Sequence, residues 1–366
     1  MTPKKYDFLI VGAGLSGITL ANLLANKGKE IILVDKKNHI GGACYDYLED
    51  KILVQKYGPH IFHTDNKQVF DYLSKFTEWT KYKHKVLAFY KNKYYPVPIN
   101  LNTVNLYFGL NLKTSEDLKK FLDSKKESIK KIENSEQLAV SEIGKELYNA
   151  FIKHFTKKTW GKYPKELDSS ILKRVSVRYD KNDQYFNQKY QGLPKFGYTA
   201  MFNKMLDKKN IKLSLDTDFK EIKNKIKYKK IIYTGKIDEF LNYKFGKLGY
   251  RKIDFTFEKL DKKSFQENSV VNYTDKDSKF ARITEFKKFY NIDSQKTILC
   301  KEKFNRKAED FYPILNKKNL AILDKYQKEA KKIKNVMFFG KMAKFKYLDM
   351  DQTVEAAFEK FRLING

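Results

Sequence analysis

A chain of 366 residues with 42% hydrophobic and 15% aromatic content excludes disorder and is long enough for a large core and more than one domain. Two distant cysteines, Cys44 and Cys300, exclude a disulfide scaffold or a cysteine-based metal site and point to a reducing, cytoplasmic setting. The net charge of +30 is almost all lysine, spread along the chain, with six arginines at 174, 178, 251, 282, 306 and 362; this is the pattern of a solvated surface rather than of a nucleic-acid footprint, which clusters charge and favours arginine forks.

The first element is an uncharged run, Phe8 to Ala25, FLIVGAGLSGITLANLLA. Its three glycines, with Ser16, Thr19 and Asn22, argue against a signal peptide or a membrane span, and no transmembrane span is expected. Tyr6 to Val11 instead reads as a buried strand, Gly12, Gly14 and Gly17 as G-x-G-x-x-G, and Ser16 to Lys27 as a helix. A second apolar run, Ile31 to Val34, ends at Asp35, 23 residues after Gly12. This is the order of a dinucleotide-binding β-α-β unit. Gly12 makes the tight turn, Gly14 lets the backbone approach a pyrophosphate, Gly17 packs helix on strand, and Asp35 accepts from ribose hydroxyls. A second diglycine, Gly41-Gly42, follows the acid.

His60 and His63 sit three apart in YGPHIFHT, residues 57–64. No carboxylate–cysteine cluster nearby supplies a third ligand, so no metal is expected, and two packing histidines remain the plain alternative. Residues 84–98 carry a strand-like run, VLAFY. Residues 101–185 then carry helix-period patterns such as Leu118, Phe121 and Leu122, and Leu147, Tyr148, Phe151 and Phe155. Residues 250–300 return to strand-like runs such as TILC, and Asn335 to Phe339 resumes the nucleotide-binding fold as a buried strand ahead of a helix from about Asp351. The predicted fold is therefore α/β: a Rossmann-type domain carrying an inserted helical domain and an antiparallel sheet. The boundaries are 1–80, 190–240 and 305–366 for the discontinuous nucleotide domain, 99–188 for the helical domain, and 81–98 with 241–304 for the sheet domain.

The diglycine past the acid resembles the extended fingerprint of FAD-binding flavoproteins, with His39-Ile40-Gly41-Gly42-Ala43 where many members have Arg-Gly-Gly-Arg. Further marks, in order, are KKTWGKYPKEL at 157–167, LKRVSVRY at 172–179, DQYF at 183–186, YQGLPKFGYT at 190–199, IIYTGKIDEF at 231–240, ARITEFK at 281–287, YPI at 312–314 and KYLDMDQ at 346–352. Together with YGPHIFHT they cover nearly the whole chain. It resembles the UDP-galactopyranose mutases of prokaryotic type.

The resemblance implies an isomerase that interconverts UDP-galactopyranose and UDP-galactofuranose through a covalent N5 adduct of reduced FAD, with no net redox change. The product would serve cell-surface glycans, and the partners would be UDP-galactose, an external reductant and a second copy in a homodimer. For the cofactor it implies Gly12, Gly14, Gly17, Asp35, Gly41, Gly42, His60, His63, Thr234, Gly340, Lys341, Asp349 and Met350, with His63 near N5 in a positional role. For the substrate it implies Phe151, Phe155 and Trp160 at the uracil, and Arg174, Arg282, Tyr185, Tyr312 and Tyr347 around the diphosphate and sugar. Arg174, in a loop at 169–178 that is mobile in the family, and Arg282 join His63 as the catalytic set, because a planar guanidinium suits phosphate better than an ammonium. Arg251 falls outside the motifs and is expected to be dispensable. Lys341 stands where the family often has arginine, and Pro59, which cannot donate to an N-acetyl group, favours galactose over N-acetylgalactosamine. UDP-N-acetylgalactopyranose mutase activity is the nearest alternative, and an amine-oxidase-like FAD oxidoreductase the alternative from another class.

Overall fold

Residues 5–172 and 177–365 are described by the computed structural model. The nucleotide-binding unit is a five-stranded parallel sheet in the order Val336–Phe338, Lys227–Tyr233, Lys5–Val11, Ile31–Val34, Ile211–Ser214. All four residues of Ile31–Val34 are buried, as a strand covered on both faces requires. The helix Leu15–Ala25 packs between the helices Tyr198–Leu206 and Met350–Asn365, and its near-continuous apolar face is why it mimics a membrane segment in sequence. Among the described residues, no helix is long and apolar enough to cross a membrane.

The second sheet has seven strands, in the order Asp310–Pro313, Tyr250–Leu260, Thr297–Phe304, Arg282–Glu285, Val270–Tyr273, Val86–Tyr90, Lys93–Val97. It is antiparallel except where Val270–Tyr273 runs parallel to Val86–Tyr90. That junction joins a hairpin made early in the chain to strands made much later, so no tight turn dictates its direction. Asp310–Pro313 forms this sheet's first edge strand. A register shift between Arg251 and Lys252 lets the long strand pair with Asp310–Pro313 at its start and with Thr297–Phe304 along the rest. Bulges of this kind bend a strand and re-aim its side chains.

The helical insert comprises Leu101–Phe108, Ser115–Lys125, Ser135–Leu147, a π-helical stretch Tyr148–Lys153 and His154–Trp160. Asn100, Thr114 and Asn134 cap the first three with side-chain acceptors, satisfying backbone donors that a helix start leaves open. Leu118, Leu122, Ile143, Leu147 and Phe151 belong to its own core.

Candidate active site

Two backbone loops build a cradle at the end of the parallel sheet. Gly12 has φ of 105°, and a Cβ there would lie 2.0 Å from Thr234 Oγ1, whose hydroxyl donates to the Val11 carbonyl at 2.7 Å. A Cβ on Gly17 would lie 2.0 Å from the Gly12 carbonyl, and one on Gly340 2.7 Å from Ser16 Oγ. The diglycine folds back onto this turn, with Gly41 N–H donating to Ala13 O at 2.7 Å and Gly42 close against Gly14. Gly14 itself faces open space, since an added Cβ would meet only Gly42 Cα, at 3.8 Å. Asp35 accepts from the Ala13 and Lys37 amides at 2.7 and 2.9 Å, so its carboxylate holds the turn, with lone pairs left for a ribose. These residues fit a dinucleotide: bare backbone, a helix start and an acid surround one gap.

Next to the cradle lies a cavity of about 120 Å³ lined by Tyr57, Pro59, Arg251, Arg282, Glu302 and Tyr312, among others including Phe311 and Tyr347. Arg282 Nε donates to Asn272 Oδ1 at 3.0 Å and its Nη1 lies 3.6 Å from Glu302 Oε2. Burial opposes the charge of Arg282, but Glu302 and the hydroxyls of Tyr185, Tyr312 and Tyr347 outweigh it and hold its pKa up. Burial also raises the Glu302 carboxyl, against the pull of Arg282 and Arg251. Glu302 Oε1 and Arg251 Nε have no hydrogen-bond partner among the described residues. The Arg251 guanidinium sits 5.1 Å from the Trp160 ring and 5.2 Å from that of Tyr312. Tyr312 stacks on Tyr347 with centroids 5.1 Å apart, and Lys341 Nζ lies 4.4 Å from the Tyr312 ring. Burial pushes the Lys341 ammonium down to about 8, while Cys44 and Asp349 act the other way. Cations stacked on aromatic faces beside a cavity make a receptor for an anion.

Some of the residues expected at the site lie at this cavity. Arg282, Tyr312 and Tyr347 line the cavity and Lys341 borders it. Phe155 and Trp160 share one short helix, with the Trp160 ring against the Arg251 guanidinium, and Tyr185 lies half-exposed against His84 and Phe186. Arg174 lies outside the described residues. Phe151, on the π-helical stretch, is 5% exposed and packs edge-on against Tyr95 and Tyr107.

His60 donates from Nδ1 to Gly58 O and its backbone is clamped by Gln55, so it locks the loop. His63 stacks on Phe186 at 3.7 Å, and its Nδ1 is buried without a partner among the described residues. The start of the helix Met350–Asn365 touches the diglycine loop, where Met350 Sδ lies 3.6 Å from Cys44 Sγ. Asp349 and Asp351 stand there too, and offset the positive potential of the helix end. The residues missed from sequence are Arg251, Glu302, Tyr57 and Phe311. For Arg251 the signal was its rarity, one of six arginines in a lysine-rich chain.

Comparison with known proteins identifies the assembly. The family model described as UDP-galactopyranose mutase matches residues 150–347, and one described as an NAD(P)-binding Rossmann-like domain matches 10–76. A probable UDP-galactopyranose mutase of Klebsiella pneumoniae is 38% identical, covering 96% of this chain and 92% of its own. The chain belongs to the UDP-galactopyranose mutase family. It is a mutase. A dTDP-fucopyranose mutase of Escherichia coli is 35% identical over 96% of both chains, so the similarity reaches relatives with different nucleotides and sugars in their names. The fold matches a crystal structure of reduced UDP-galactopyranose mutase with TM-score 0.78 and 16% identity, over 100% of this chain and 94% of that one.

Proposed function

We propose that this mutase interconverts UDP-galactopyranose and UDP-galactofuranose with FAD held in the glycine cradle. The observation that carries the reading is the half-buried pair Arg251 and Arg282 lining one cavity, stacked or bonded on Trp160, Tyr312 and Asn272. Two guanidiniums fixed in this way match a diphosphate, and the flat faces of Phe155 and Trp160 match a uracil. Arg174, outside the described residues, adds a third cation on the strength of the sequence. Tyr312 and Tyr347 orient the diphosphate and sugar, and Glu302 supplies a carboxyl held up in pKa beside them. His63, with its unpartnered Nδ1, is the side chain poised to bond at the ring of the cofactor.

FAD held by the glycine cradle and Asp35 would, when reduced, supply a nucleophilic N5 with no net redox change, so an external reductant would be needed once rather than per turnover. On this reading the enzyme is a cytoplasmic homodimer feeding galactofuranose to cell-surface glycans. The experiment is turnover of UDP-galactose by oxidised and by dithionite-reduced protein. Activity is expected only after reduction, for many turnovers per reductant. Activity of the oxidised protein, or one oxidant consumed per product, would instead support an amine-oxidase-like reaction. A second reading, a dTDP-linked 6-deoxy sugar, is favoured by the Escherichia coli relative. Parallel assays with dTDP-fucopyranose and UDP-N-acetylgalactosamine separate the three substrates, with Pro59 favouring the sugar without an N-acetyl group.

A further inference from the structure

We propose that Lys158 is a positioning residue that clamps the Phe155–Trp160 face and the Arg282 strand into one substrate-binding unit. Lysines in this protein mostly point into solvent, but Lys158 Nζ is half-buried and donates to two backbone carbonyls, Tyr273 O at 2.6 Å and Asp275 O at 2.7 Å. Tyr273 ends the strand Val270–Tyr273, and Asn272, one residue earlier, pairs with Arg282 across the sheet and accepts from its Nε. The helix that carries Lys158 also carries Phe155 and Trp160, and Trp160 stacks on the Arg251 guanidinium. One ammonium thus ties the aromatic rim to the strand that aims the arginine.

The helix needs such a tie. It has seven residues, too few to hold a position by helix propensity alone. It follows a π-helical stretch, where backbone bonding is weaker, and ends at Gly161 in left-handed geometry. Its docking therefore rests on tertiary contacts: Gly161 pressed on the Phe304 ring, Trp160 on Arg251, and the Lys158 bonds. Burial disfavours the charged amine and moves it down to about 8, against the pull of Asp275 and Asp277, so the position is held at an electrostatic cost that a surface lysine avoids.

The proposal rests on the reading of Phe155 and Trp160 as the nucleotide-base face, and the test separates the two. In FAD-loaded protein carrying W79F, Trp160 is the only tryptophan, the chain having two. With K158M, acrylamide quenching of Trp160 is expected to rise about twofold and the Kd for UDP about tenfold, with FAD content and spectrum unchanged. K158R, which still reaches the carbonyls, is expected to recover most of both, and K158Q serves if K158M does not fold. Unchanged quenching in K158M and K158Q overturns the clamp. Raised quenching with unchanged UDP affinity upholds the clamp and overturns the base-stacking reading.

Discussion

Arg251 and Arg282 line the cavity half-buried among aromatic and polar groups, and Arg251 Nε has no hydrogen-bond partner among the described residues. Such a cation binds a diphosphate oxygen with a charge-assisted bond, so R251A and R282A should each lose about 2–3 kcal/mol of transition-state binding while retaining FAD. R174A is expected to behave alike from its place in the sequence. R362A, exposed on the last helix, is the control, and steady-state rates on reduced protein check all four. Equal losses at all positions would dismiss the assignment. Gly14 tests the cradle at the same scale. No protein atom but Gly42 Cα stands within 4 Å of its added Cβ, so G14V should fold normally yet lose flavin retention, read from the absorbance of the purified protein. G12V, which would strike Thr234, should fail to fold.

The elements around the site are placed by irregularities. Along the long strand, residues 250–252 pair with Asp310–Pro313 and residues 253–260 with Thr297–Phe304, and the register shift in the first pairing leaves Phe311 as the extra residue. The π-helical stretch before His154 carries the buried Phe151, and the helix after it carries the half-buried Phe155. Gly161 closes that helix at φ of 72°, with a would-be Cβ 2.4–2.8 Å from the Phe304 ring. G161A should therefore lose more than the ~1 kcal/mol of a left-handed cap, about 2–3 kcal/mol by denaturant unfolding, and should weaken UDP binding as the helix shifts. A stability loss under about 0.5 kcal/mol would mean that the packing there is slack.

For the molecule as a whole, the histidines set the acid limit. Burial pushes His84 down to about 3, helped by the nearby Arg282, and His60 down to about 4. Unfolded, each titrates near 6.5, so between that pH and about 3 the unfolded chain binds more protons. Their stabilising contribution is complete above about pH 6.5 and is lost as pH falls from there through about 4 and then 3, each tenfold difference in proton affinity between the folded and unfolded chain being worth about 1.4 kcal/mol. Thermal melts from about pH 7 to about 3.5 should show this fall, and H84Q should flatten it. An unchanged slope in H84Q would place the acid sensitivity in the carboxylates instead. The charge of +30 adds a self-repulsion that salt screens, so high ionic strength should raise the melting temperature.

The sequence by itself determined what local spacing can encode. The glycines at 12, 14 and 17, the acid at 35 and the apolar runs on either side specify a β-α-β unit, because turn, helix start and strand are contiguous in the chain. Ordered motifs were enough to point to Arg282, Tyr312 and Tyr347. Only the tertiary structure decided the rest. Arg251 lines the cavity beside Tyr312, its cross-strand partner on Asp310–Pro313, and Glu302 beside Arg282, its partner across the sheet. Phe151 and Phe155 look equivalent at helical spacing, yet Phe151 is buried and Phe155 half-buried. Contacts between residues far apart in sequence have no local signature, since hydrogen bonding and burial between strands depend on where the chain returns rather than on which residues are neighbours along it.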